Sequence, residues 1–502
     1  MRRRSLSLVL LLVFAGCAEP TTAPVSQVDS ASAAAVAVRP RTLLVTESGD
    51  AGPGTLRDAL DEASADPTVT RIRIDPVVFS ITPNTPLTFT GTQALTIEGG
   101  QISVFGHYTP DALFDLRVRS AITITDMWIL HSQGIGVRVV VPEDATGTVR
   151  VTMHRVGLAG HRGHGVLVND LPEYLTDPNT ASITGAPASL RVEVTGSFFG
   201  QIGQGGFDLD GSPLPAIADA DAIRINEGGD GNAVVILRSL QVAQAGNDGV
   251  HVDERGNGNI DFRFETSTVI ESGWATPTLP GNGVRLLETG AGTLTSNVTD
   301  VTTNTSAAQA FGYSESGLGN LTANFTLTNV SLHAEDAVVL VEDAVGTGGG
   351  NLTFTLTDSN LEGNGQDLQG RPALGTANVI AHEKLGGTLI SRVTRSVVRN
   401  SLYGGISHVE EAGGNLDATI LESTFSQLST FGMGLHENGA GNLTAAMTAG
   451  GVLFNGTVGI TAKQAPTGTG SLTLTGVDLQ GNGTGSQHVQ VVSGQVTVIQ
   501  SP

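Results

Sequence analysis

Between Asp208 and Glu254 the chain concentrates residues whose types could do chemistry: Asp221, Arg224, Asn226, Asp248, His251 and Asp253. Ile223 and Ile225 alternate with Arg224 and Asn226, and Val250 and Val252 alternate with His251 and Asp253. Each run therefore reads as a strand with one apolar and one polar face. Superposing Ile223 on Val250 stacks Arg224, His251 and Arg285 in one outward column, sets Asn226 beside Asp253, and puts Asp221 above Asp248. Carboxylates, or a cation held by them, can acidify a sugar carbon while a base removes its proton. Arg224, His251, Asp253, Asp221 and Asp248 are the candidate catalytic residues for such a reaction. The competing expectation is that solvent-facing strand positions are polar whether or not they catalyse anything.

A second pattern is acidic. Glu227, Glu254, Glu288, Glu315, Glu383, Glu410 and Glu437 each stand four residues before a glycine, and Glu342 is equivalent across a short insertion. Carboxylates stacked at strand spacing repel one another, so the column needs turn N–H groups, cations or water to offset it. Acceptance of turn amides is the structural expectation. A hard cation such as calcium is the alternative, with Glu227, Glu254, Glu288 and Glu315 as the metal candidates. The G-G-x-G-x-D calcium nonapeptide is absent, and no other cofactor is expected.

The elements that must position these residues are repeats. A Gly followed by Asn, Thr, Ser and an alternating apolar run recurs at Gly258, Gly292, Gly319, Gly350, Gly387, Gly414, Gly441 and Gly470, with Gly231 as a weaker first member. The spacings are 27, 34, 27, 31, 37, 27, 27 and 29 residues, a base period of 27 with insertions near Trp274 to Asn282 and Gln366 to Leu374. Within a unit, Leu352, Phe354 and Leu356 alternate with Thr353, Thr355 and Thr357. Two or three short strands with tight turns fill such a unit and leave no room for a helix, which excludes leucine-rich, ankyrin and tetratricopeptide arrays. At least nine of the 66 glycines in 502 residues then mark the same corner of successive coils, where a backbone able to take positive φ is expected.

This pattern resembles the right-handed parallel β-helix superfamily that includes pectate lyases, polygalacturonases and many bacterial surface proteins, and the handedness is what that resemblance implies. The segment from Val45 to Leu60, with Ser48-Gly49 and Gly54-Thr55-Leu56-Arg57, is similar to the opening of surface β-helices in the polymorphic outer-membrane-protein group, where it precedes an amphipathic cap helix. Leu56, Ala59, Leu60 and Ala63 fall on one helical face here. The expected fold class is all-β: a right-handed parallel β-helix of roughly 27-residue coils with a short N-terminal α-helical cap.

The chain carries 48 acidic against 26 basic residues, a formal charge of -22, and its only lysines are Lys384 and Lys463. No basic stripe is available to follow a phosphate backbone, so nucleic acid is not an expected partner. Cys17 is the sole cysteine, so no intrachain disulfide forms. Arg2, Arg3 and Arg4 precede the apolar run Leu6 to Phe14 and then Ala15-Gly16-Cys17. That order reads as a signal peptide. Small residues before a lone Cys resemble the bacterial lipoprotein lipobox, with Phe14 where that family usually has Leu. The resemblance implies lipidation at Cys17 and a cell-envelope location, at the outer membrane or cell surface. The expected organisation is residues 1–16 signal peptide, 17–40 flexible tether, 41–66 cap strand and helix, and 67–502 β-helix.

Named enzyme motifs are incomplete. Gly163-His164-Gly165 and Arg224-Ile225-Asn226 are similar to the G-H-G and R-I-K of polygalacturonases, but Asn226 replaces Lys and no Asp-Asp pair occurs. His161 and His164 then read as turn residues. With 2 Trp and 4 Tyr, few rings are available for sugar stacking. The functional expectation is a binding, adhesive or structural surface role toward an extracellular glycan or surface protein, with membrane attachment through the lipid. The alternative is a polysaccharide lyase or glycoside hydrolase acting on acidic glycans.

Overall fold

The computed structural model describes residues 39–107, 109, 111–171, 185–203, 217, 219–273, 281–343, 349–365, 377–483 and 488–502. The signal segment, Cys17 and the tether up to residue 38 lie outside the described residues, as do 274–280 and 366–376, where insertions were expected. No helix among the described residues is long and apolar enough to cross a membrane.

Residues 40 to 502 form one unit, a right-handed parallel β-solenoid of about 15 turns at about 27 residues per coil. One coil shows how the sequence folds. The strand Leu294–Asn304 bends at Asp300, Thr305 makes a second corner, and the strand Phe311–Glu315 closes the circuit before the next Gly turn. Leu294, Ser296 and Val298 point inward from the first strand, and each stacks on its counterpart in the next coil, Leu321, Ala323 and Phe325. Repetition of that register builds a broad sheet of 22 strands and a narrow sheet of 14. In the narrow sheet Val166–Asn169, Ile223–Glu227, Val250–Glu254, Val284–Glu288 and Phe311–Glu315 lie side by side in chain order. Successive side chains of a strand point to opposite faces, one into the core and one out of it, which is why the apolar residues alternate.

A helix spans Leu56–Ala65. Its Leu56, Ala59, Leu60 and Ala63 are buried, and it packs on the strands Arg41–Val45, Val69–Ile74 and Leu87–Phe89. Thr55 starts it by accepting the Asp58 N–H on its hydroxyl, and Arg57 anchors it by donating to Pro86 O at 2.7 Å and Asp50 Oδ1 at 2.7 Å.

Glycine's role differs from the expected one. The corners at positive φ are held largely by other residues, including Thr266, Asp300, Leu327, Asp358, Arg395 and Glu422 in successive coils. The glycines of the repeat instead sit where coils approach closely: a Cβ on Gly292 would lie 1.4 Å from Gly258 O, and one on Gly319 1.5 Å from Gly292 O. Space, not backbone handedness, requires them. Leu327, half exposed at φ 52, carries the left-handed cost that a branched side chain incurs. Leu327→Asn is expected to stabilise the solenoid by about 1 kcal/mol, read as a higher thermal unfolding midpoint, because Asn tolerates that conformation.

Candidate functional site

The register pairs Arg224 with His251 and His251 with Arg285, and Asn226 with Asp253, as the alternation predicted. The expected exposure is not found. Arg224 is 8% exposed, His251 3%, Asp253 2%, and Asp221 and Asp248 are fully buried. The cause is local: the turns that precede each strand of the narrow sheet fold their own polar side chains over the strand's outer face. Asn247 donates to Asp221 Oδ1 at 3.0 Å, and the Asp248 N–H donates to the same oxygen at 2.9 Å. Asn282 fixes Asp248 Oδ1 through its backbone N–H at 2.6 Å and its amide at 3.1 Å.

The cluster's second oxygens face inward. Arg224 donates to Asp221 Oδ2 at 3.1 Å and to Asn226 Oδ1 at 2.9 Å. His251 Nδ1 lies 3.0 Å from Asp248 Oδ2 and 3.6 Å from Asp221 Oδ2. Burial alone would raise the Asp221 carboxyl, but His251 and Arg224 outweigh it and hold that group well below the ordinary carboxylate range. Burial and Arg224 pull His251 down, yet the two carboxylates more than offset them and its pKa is raised. Asp253 is turned away: its Oδ2 pairs with Arg255 Nε at 2.9 Å.

The sequence reading placed His164 in a turn and gave it no part in this cluster. Its Nδ1 accepts the Asp221 N–H at 2.9 Å and lies 3.7 Å from Asp221 Oδ2. Burial lowers its pKa to about 4, so it is neutral here at neutral pH. The signal available was the Gly163-His164-Gly165 run, whose distance of 57 residues from Asp221 exceeds one coil. His161 is a buried turn residue as expected, bonded to Ser132 Oγ at 2.8 Å.

Next to the cluster, a groove of about 310 Å³ runs over the outer face of the narrow sheet between Asn282, Arg285, Leu287, Gln309, Ser314 and Glu335. Arg285 makes no ion pair or side-chain hydrogen bond among the described residues, in contrast to Arg138, Arg224 and Arg255.

The glutamates of the column accept hydrogen bonds from the turn amides that follow them. Glu254 Oε1 accepts from Gly256 at 2.9 Å and Gly258 at 3.2 Å, and Glu315 Oε1 from Gly317 at 2.9 Å and Gly319 at 3.2 Å. Glu227, Glu288, Glu342, Glu383, Glu410 and Glu437 repeat the pattern, all fully buried. Two residues the sequence reading omitted terminate the column. Asp170 precedes Glu227, its Oδ1 accepting from Gly228, and Gln464 follows Glu437 at the same 27-residue spacing. Among the described residues, the remaining oxygens Oε2 of Glu227, Glu254, Glu288, Glu315, Glu342, Glu410 and Glu437 are buried without a hydrogen-bond donor. Burial, reinforced by the neighbouring carboxyls, pushes Glu227 up to about 11, Glu288 to about 10, Glu342 to about 9 and Glu410 to about 7. These groups are neutral carboxylic acids at low and, for the first three, neutral pH.

No protein-family model matches the chain, and no curated protein matches it. Among solved structures it is similar to the bacteriophage CBA120 tailspike protein 3, with 12% identity over 89% of this chain and a TM-score of 0.41; the chain spans 58% of that protein's length. It is also similar to the periplasmic alginate epimerase AlgG, with 9% identity over 84% of this chain and 78% of that one and a TM-score of 0.31.

Proposed function

We propose that the chain is an envelope-attached β-solenoid that binds an acidic glycan along the outer face of its narrow sheet. The observation that carries this reading is Arg285, which lies on the wall of a groove and makes no ion pair or side-chain hydrogen bond among the described residues. A guanidinium so placed suits a sugar carboxylate, to which it can donate two parallel hydrogen bonds. Attachment through a lipid on Cys17 rests on the run Leu6 to Phe14 and the small residues before that cysteine. In the same reading the helix Leu56–Ala65 is the cap of the first coils, shielding backbone that no preceding coil pairs.

The test is calorimetric titration with polyuronate oligosaccharides. Arg285→Ala is expected to weaken binding at least tenfold; an unchanged affinity, or no binding by the unaltered protein, removes the reading. A second reading, proton abstraction from a uronate by His251, is favoured by His251 Nε2, which is buried and makes no hydrogen bond among the described residues. Depolymerisation of the same glycans, abolished by His251→Ala, is its expected outcome, and absence of any new reducing ends or unsaturated products rejects it.

A further inference from the structure

The buried cluster beneath the groove has a geometry that ion pairing alone does not explain. Each carboxylate has one oxygen saturated by donors: Asp221 Oδ1 by Asn247 and the Asp248 N–H, Asp248 Oδ1 by Asn282 twice. Asp221 Oδ2 and Asp248 Oδ2 both approach His251 Nδ1, and one ligand atom from each of the three residues lies within 4.8 Å of the other two. Among the described residues neither ring nitrogen of His251 makes a hydrogen bond, and Asp248 Oδ2 accepts none. The carboxylate oxygens are close to Nδ1, at 3.0 and 3.6 Å, yet neither makes a hydrogen bond with it.

Ligands of one metal ion stand in that relation. Donors about 2.1 Å from a shared ion and roughly 90 to 120° apart are about 3.0 to 3.6 Å from each other, and each lies well off the other's lone-pair axis. The hydrogen bonds from Asn247, the Asp248 N–H and Asn282 are then the outer contacts that orient ligating carboxylates. Arg224 uses one lone pair of Asp221 Oδ2 and leaves the other. Together with His251, the guanidinium keeps the cluster from carrying a large net charge before the ion enters.

We propose that Asp221, Asp248 and His251 form a binding site for one divalent transition ion, with Asp221 Oδ2, Asp248 Oδ2 and His251 Nδ1 as ligands. One imidazole and two carboxylate oxygens suit zinc, manganese or cobalt rather than calcium, which takes six to eight oxygens. The site is separate from the glutamate column and does not depend on glycan binding.

The experiment uses the full chain, stripped with chelator and titrated with cobalt(II) and zinc(II). One equivalent is expected to bind, with a cobalt visible spectrum whose intensity marks four- or five-fold coordination and an X-ray absorption signature of one imidazole among oxygen ligands. Asp248→Asn and His251→Gln, both near-isosteric, are each expected to lower affinity at least a hundredfold while the circular dichroism spectrum is retained. Failure of the unaltered protein to bind either ion overturns the proposal, as does an absorption signature without imidazole, which needs no variant to fold. Loss of the equivalent with Glu288→Gln in place of Asp248→Asn would move the ion to the glutamate column and overturn it equally.

Discussion

Gly414→Ala is expected to abolish folding of the solenoid or to destabilise it by about 3 kcal/mol or more, whereas Gly413→Ala, one residue earlier, is expected to be neutral or slightly stabilising. A Cβ on Gly414 would stand 1.3 Å from Gly387 O and 2.3 Å from Gly387 C, atoms of a backbone that cannot retreat without breaking the adjoining ladder. A Cβ on Gly413 meets nothing within 4 Å, and its φ is not in the left-handed region. The two variants have the same composition and differ only in which column the added methyl enters. Thermal unfolding and soluble yield read the difference. Comparable midpoints for the pair would refute the claim that these glycines are required for coil-to-coil approach. Retention of the Gly414 amide is also at stake, since it donates to Glu410 Oε1 at 3.0 Å and any shift of the turn leaves that buried oxygen without one of its donors.

The second large effect is on pH dependence. Glu227, Glu288, Glu342 and Glu410 have folded-state pKa values above the ordinary one, so between about pH 4.5 and their folded values the native chain binds more protons than the unfolded chain. Stability from these groups is therefore fully present below pH 4.5 and is lost as pH rises, first through about 7 for Glu410, then through about 9, 10 and 11 for Glu342, Glu288 and Glu227. Protons on the raised rungs, Glu383 among them, supply donors that the orphaned Oε2 atoms lack, and removing them places bare carboxylates next to each other at strand spacing. The unfolding midpoint is expected to fall by more than ten degrees between pH 5 and pH 10. Glutamine should serve in place of the protonated rungs, as Gln464 already does at the column's end, where Oε1 accepts the Leu443 N–H at 2.8 Å and Nε2 donates to Gly441 O at 2.9 Å. Glu288→Gln with Glu342→Gln is expected to flatten the alkaline loss. A midpoint that rises toward pH 10, or a double variant with an unchanged slope, would contradict the shared-proton column. Acid has an opposing effect through Asp126, Asp221 and Glu362, whose lowered values contribute stability above the ordinary carboxylate range that is lost as pH falls through and below that range.

The 27-residue spacing and the two-residue alternation were enough to specify a parallel solenoid, its register and its columns. A coil has one way to bury an apolar face of period two when each strand pairs with its equivalent one repeat away, so the pairings Arg224 with His251 and Glu315 with Glu342 follow from counting. Alternation also assigned Leu294 and Leu352 inward correctly. Side-chain direction at a corner is not periodic in the same sense. Whether a glutamate beside a glycine turn points to water or to the turn amides depends on where those N–H groups aim, and the surroundings of Arg224 depend on Asp221, which Asn247 of the next turn holds in place. His164 joined the cluster across 57 residues because an insertion lengthens that stretch and hides the repeat. What the sequence determined by itself is thus which residues share a column, since that needs only the repeat length. The tertiary structure alone decided which columns are sealed from water and which polar atoms within them are satisfied, because burial and hydrogen bonding depend on the neighbouring turns as well as on a residue's own strand.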